Sequence, residues 1–87
     1  MRFTFDPVKS ASNREKHGID FTTAQELWED ADFLEIPARS VSEPRWLIVG
    51  RINGRTWAAI VTRRAMVTRI ISVRRARPDE ENLYEGT

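Results

Sequence analysis

Nine arginines, Arg45, Arg51, Arg55, Arg63, Arg64, Arg69, Arg74, Arg75 and Arg77, fall in one stretch that contains no aspartate or glutamate. Soluble surfaces normally intersperse both signs, and like charges facing each other across strands cost stability. A bound polyanion is the simplest compensation. The guanidinium suits phosphate because its planar fork grips two oxygens and never loses its charge. The plainer alternative is a set of solvated positions on outward strand faces. The single histidine, His17, supplies the other chemically useful group. At about 100° per residue, Lys9, Asn13, Lys16 and His17 share roughly a 100° arc of one helix. That face would offer a proton acceptor beside phosphate donors. The alternative is a histidine that only satisfies the last carbonyls beside the glycine cap at Gly18.

Other chemistries lack their residues. There is no cysteine, so a thiolate nucleophile, a disulfide framework and a Cys-type zinc site are excluded. A two-metal nuclease needs convergent carboxylates, whereas the acids read as a solvated helix face. The glycines are isolated, which removes a phosphate-cradling loop. Trp46 and Trp57 would stack on bases or fill the core. Tyr84 would supply a hydroxyl or pin the last helix to the sheet.

These groups need a frame. Arg2 to Phe5 alternate as a short strand. Asp6 and Pro7 read as N-cap and first position of a helix that ends at His17, with Val8 and Ala11 as its thin apolar stripe. The segment Thr22 to Glu26 holds two overlapping capping boxes, followed by Ala24, Leu27, Trp28 and Ala31 at helical spacing. A strand near Phe33 to Ile36 and a loop punctuated by Pro37 and Pro44 come next. Strands Trp46–Ile52 and Arg55–Thr62 flank Asn53-Gly54, a type I′ hairpin signal. A third strand, Met66–Arg75, follows a turn near Arg64-Ala65. Pro78 starts a short acidic helix, with Gly86 past its end. The expected fold is α+β, an antiparallel meander covered by two N-terminal helices, with a short C-terminal helix. Tight pairing puts Arg55 near Arg74 on one face. Leu47, Val49, Ala58, Ile60, Ile71 and Val73 then form an apolar band on the other, rimmed by Arg51, Arg69 and Arg75.

The 87 residues fit a single domain, 1–87. With 40% hydrophobic and 31% charged residues the chain reads as folded rather than disordered. Outside the arginine stretch lie all thirteen acids against five basic residues, a balance of −8 hidden within a net charge of +1. Such asymmetry suggests a polyanion site beside an acidic scaffold or partner surface. The opening MRFTFDPVK lacks a signal-peptide stretch, and no segment approaches the roughly 20 apolar residues that span a bilayer. A cytoplasmic protein without membrane contact is expected.

Several segments together resemble the BrnT family, toxins of a type II toxin–antitoxin system. They are FDPVKSASNREKHGIDF (5–21), AQELWED (24–30), RWLIVGRINGR (45–55), TRRAMVTRIISVRRAR (62–77) and LYE (83–85). The pairing of a DPxKxxxNxxKHG start with RIISxRRA is the specific element. The ending PDEENLYEGT is more acidic than the family's arginine-punctuated one. The resemblance implies a RelE-like fold and an endoribonuclease that arrests growth. It also implies a tightly bound BrnA-like antitoxin, with promoter DNA bound only through the complex. No cofactor or metal is called for. RNA is cut when its 2′-hydroxyl attacks the adjacent phosphorus, given in-line positioning, stabilisation of the phosphorane and proton transfer. On this reading the catalytic candidates are His17, Lys9, Lys16 and Arg74, a lysine serving as base if neighbouring cations depress its pKa. The RNA-binding candidates are Arg51, Arg55, Arg69 and Arg75. Two competing functions stay open: a toxin of similar fold that poisons a protein such as gyrase, and a non-catalytic nucleic-acid-binding module.

Overall fold

The computed structural model describes residues 1–39 and 42–86. In chain order the elements are β1 (Arg2–Thr4), α1 (Pro7–His17), α2 (Phe21–Ala24) running into a 3₁₀ segment (Gln25–Glu29), β2 (Leu34–Ala38), β3 (Arg45–Ile52), β4 (Arg55–Arg64), β5 (Val67–Arg75) and α3 (Pro78–Glu85). The five strands form one sheet in the order β1-β5-β4-β3-β2. Four of them make the expected meander, but β1 pairs with β5 in parallel, Arg2 opposite Val67 and Thr4 opposite Arg69. The sheet is therefore mixed, not antiparallel. After β1 the chain crosses to the far edge through the helices, and three reversals return it beside β1 running the same way. β2 also continues through Pro37, which an edge strand tolerates because its missing N–H can face solvent.

One face of the sheet carries the helices and the main core. Ile48, Ile52, Trp57, Ala59, Val61, Ile70 and Val73 pack against Ile19, Phe21, Ala24 and Leu27. Asp6 caps α1 as expected, accepting the Val8 N–H at 2.9 Å, and Gly18 ends it at a left-handed φ of 79°. The thin apolar stripe of α1 does not dock it. Val8 and Ala11 face water, and buried Ser10 and Asn13 dock the helix instead. Ser10 Oγ accepts the Phe21 N–H at 2.9 Å. Asn13 donates to the Ile19 and Val73 carbonyls at 2.8 and 2.9 Å and accepts the Val73 N–H at 3.2 Å. Fully bonded, these polar groups are buried without the desolvation penalty of an orphan.

The second helix starts earlier than the capping boxes suggest. Asp20 is its cap, accepting the Thr23 N–H at 2.7 Å, and this bond holds the Asp20 carboxyl below its ordinary range. After one turn the coil tightens to 3₁₀, which turns Leu27 into the core and leaves Ala31 exposed.

The Asn53-Gly54 hairpin forms as expected, both residues at positive φ, 50° and 80°. The next turn uses Ala65 and Met66, also at positive φ. A β-bulge then shifts the β4–β5 register between Ile60 and Val61. A one-residue slip sends every side chain beyond it to the other face. Arg74 consequently lies opposite Ala58 and Arg75 opposite Trp57, while Arg55 pairs with Ile52. Arg55 and Arg74 are thus on opposite faces, contrary to the expected pairing. Val73 joins the helix-side core, Arg75 leaves the rim of the apolar band, and Ile71 falls at the bulge.

Among the described residues, the second face is covered by α3, at its β3–β4 hairpin end. Tyr84 packs there on Val49 and Ala58. No described helix is long and apolar enough to cross a membrane.

Candidate nucleic-acid interface

Two of the eight candidate side chains, Arg55 and Arg75, stand on the helix-bearing face, in register with Ile52 and Trp57. Asn13 ties α1 to β5 at Val73. His17 lies one turn beyond Asn13 and is exposed. Its neighbour Gly18 lines a cavity of about 260 Å³ with Ile19, Thr23, Ile52, Asn53, Arg55 and Trp57. Among the described residues no acidic side chain lines it, but Ile52 and Asn53 also border a cavity lined by Glu26, Glu29 and Asp30. The Arg75 guanidinium lies over the Trp57 ring, 5.4 Å from its centroid. Trp57 is itself buried in the core, so its ring serves as a platform that orients Arg75. Neither Arg55 nor Arg75 forms an ion pair among the described residues. Lys16 and Lys9 are exposed on α1, and Lys9 lies toward its start. Asn13, the remaining member of the polar arc, is a structural tether.

The other candidates stand on the second face and are divided again. Arg74 makes a two-point bond to Glu80 on α3, at 2.7 and 2.9 Å, and also donates to the Arg75 carbonyl at 3.3 Å. Glu80 accepts the Arg77 N–H at 2.8 Å. Its bonds to Arg74 hold the Glu80 carboxyl below its usual value of 4.5 and the guanidinium above its own. Arg51 pairs with Glu85 at 3.1 Å and lies against the Tyr84 ring, 5.1 Å from its centroid. Arg69 is at the opposite end of this face, level with Thr62 and Arg45.

Reading the residues by type missed Asp30. Its carboxylate accepts the Arg51 N–H at 2.8 Å, the Asp32 N–H at 2.9 Å and the Tyr84 hydroxyl at 2.6 Å. It thereby continues the sheet edge past the end of β2 and fastens α3. Burial raises the Asp30 pKa, but these bonds outweigh it and keep the group ionised below its ordinary range. The same bond pushes Tyr84 up to about 12. Nothing in the local pattern of Trp28-Glu29-Asp30 distinguishes this carboxylate from its solvated neighbours, because its partners are distant in sequence. Arg63 is likewise engaged, paired with Glu35 and lying over Trp46.

The arrangement separates two kinds of arginine. Arg51, Arg63 and Arg74 answer carboxylates of their own chain. Arg55 and Arg75 have no carboxylate partner among the described residues, and Arg55 lines the cavity that Gly18, next to His17, also borders. A family model described as a ribonuclease toxin, BrnT, of type II toxin–antitoxin systems matches residues 5–80. No curated protein matches the chain.

Proposed function

The chain belongs to the BrnT family of ribonuclease toxins, and from that premise we propose that RNA is cut at the corner where α1 ends against the β3–β4 hairpin. The supporting observation is that Arg55 and Arg75 lie on the helix-bearing face without a carboxylate partner among the described residues, Arg55 lining a cavity with Gly18, the neighbour of His17. RNA lying there would have its scissile phosphate between the two guanidinium groups. These stabilise the extra negative charge as the 2′-hydroxyl oxygen attacks phosphorus, and fixed cations in a partly dry site are effective at this. His17 takes the 2′-hydroxyl proton, and the 5′-oxygen leaves with a proton from water or from His17 after it has been charged. The products are a 2′,3′-cyclic phosphate and a 5′-hydroxyl. Lys16 and Lys9 draw the flanking backbone along α1 as point charges. No step needs a metal ion. Arg74 acts as a positioning residue here, since its bond to the Arg75 carbonyl and its grip on Glu80 fix the strand that carries Arg75. Arg51 and Arg69, on the other face, take no part in scission.

As a ribonuclease toxin of a type II system, the protein implies an RNA substrate and a cognate antitoxin. We infer action in the cytoplasm as a single domain, with growth arrest following from RNA loss. Purified protein incubated with RNA in excess EDTA tests the reading. Fragments ending in 2′,3′-cyclic phosphate are expected. Intact RNA at high protein concentration would overturn it, and growth arrest with intact RNA and broken DNA would favour a poisoned protein target.

A further inference from the structure

The second face of the sheet is half covered, and the covered half shows how this surface is occupied. α3 is an acidic helix with one apolar anchor. Tyr84 rests on Val49 and Ala58, while Glu80 grips Arg74 and Glu85 pairs with Arg51. An aliphatic row is thus met by a ring, and the arginines flanking it are met by carboxylates.

The uncovered half repeats the same ingredients. Ile36, Leu47 and Ile60 stand side by side in register across β2, β3 and β4, and each is only half-buried. One row further on, Arg45 and Arg69 flank Thr62. Arg64 follows along β4 on the same face. Thr62, Arg64 and Arg69 line a groove of about 420 Å³. The described acid in that groove is Glu43, which approaches Arg64 at 3.9 Å while Arg64 keeps 90% of its side chain exposed. Beside the aliphatic row, Arg45 and Arg69 therefore have no carboxylate partner among the described residues, and Arg64 has only the distant Glu43.

Building on the toxin–antitoxin reading, we propose that this half of the face receives an acidic amphipathic segment of the cognate antitoxin. Its apolar side chains cover the Ile36–Leu47–Ile60 row and its carboxylates meet Arg45, Arg64 and Arg69. An apolar centre with an arginine-bearing rim is the composition of a protein interface. RNA fits less well, because this half offers aliphatic side chains rather than rings on which bases stack. The surface lies on the face opposite the His17 corner, so antitoxin anchoring and RNA scission are separable by mutation.

The test measures antitoxin affinity, RNA cleavage and thermal melting for the full chain and for two variants, Leu47→Asp and Arg45→Glu/Arg64→Glu. The second changes exposed or half-exposed rim residues and keeps the aliphatic row, so it guards against a fold lost in the first. Both variants are expected to melt cooperatively and to cut RNA as the wild type does. Each should bind the antitoxin roughly 30-fold more weakly or worse, the loss typical of a central anchor. Unchanged antitoxin affinity in the folded variants would overturn the proposal. So would loss of RNA binding with antitoxin affinity intact, which would make this an RNA surface. A wild type that binds antitoxin but leaves RNA whole would remove the nuclease reading and leave the docking surface standing.

Discussion

Arg74 and Arg75 are adjacent in sequence and leave the sheet on opposite faces, one into a carboxylate and one over an indole. Their roles differ for that reason, although their chemistry is the same. Removal of the 2′-hydroxyl proton falls to His17 in the proposed reaction. His17→Ala is expected to lower the cleavage rate by about 10²–10⁴-fold, the usual share of a general base, with little change in RNA affinity. An equal loss of binding and rate would make His17 a contact rather than a base. Asn13 is assigned no chemistry. Asn13→Ala leaves the Val73 N–H and the Ile19 and Val73 carbonyls short of a partner, so chemical denaturation should show a loss of about 1–3 kcal/mol.

Among the elements, α3 depends most on a single ion pair. Glu80 is 7% exposed, and Arg74 keeps 27% of its side chain in solvent. Removing one partner of a fully buried pair costs about 3–5 kcal/mol, and the partial exposure of Arg74 brings the expected cost of Glu80→Gln to about 2–3 kcal/mol. The Glu80 pKa is lowered on folding, so its contribution is complete above the ordinary carboxylate value of 4.5 and disappears as pH falls through the lower folded value. Wild type and Glu80→Gln should therefore differ most at neutral pH, begin to converge below pH 4.5 and coincide in stronger acid. A stability gap independent of pH would show that the pair is not what Glu80 contributes. Elements also mark the limit of local reading. The Asn53-Gly54 hairpin and the Asp6-Pro7 start are written in adjacent residues and were legible. The bulge at Ile60/Val61 and the parallel β1–β5 pairing depend on which strands meet, and no short stretch encodes that. The docking face of α1 was not legible because its docking groups are polar, and the type of Ser10 and Asn13 does not reveal that Phe21 and Val73 wait to bond them.

Across the whole molecule, charge is sorted by position. The acidic segments supply close internal partners for Arg51, Arg63 and Arg74 and only a distant one for Arg64, while among the described residues Arg55 and Arg75 on the helix-bearing face and Arg45 and Arg69 on the second face have none. The acid-free run announced a polyanion site, and the DPxKxxxNxxKHG start placed His17 at a helix end. Neither said which arginines remain free, because that depends on carboxylates brought in from α3 and β2. RNA binding at the corner should fall with salt, and removing Arg55 and Arg75 together should flatten the log–log slope by roughly 1.4 if both touch phosphate. Binding titrations across a salt series would show it, and an unchanged slope would place the phosphates elsewhere. The most direct measurement is single-turnover RNA cleavage in EDTA by Arg55→Ala/Arg75→Ala set beside Arg45→Ala/Arg64→Ala. The corner pair is expected to lose at least about 100-fold in rate, as when transition-state donors are removed, and the open-face pair to cut like the wild type. The reverse order, with the open-face pair inactive and the corner pair intact, would contradict this assignment.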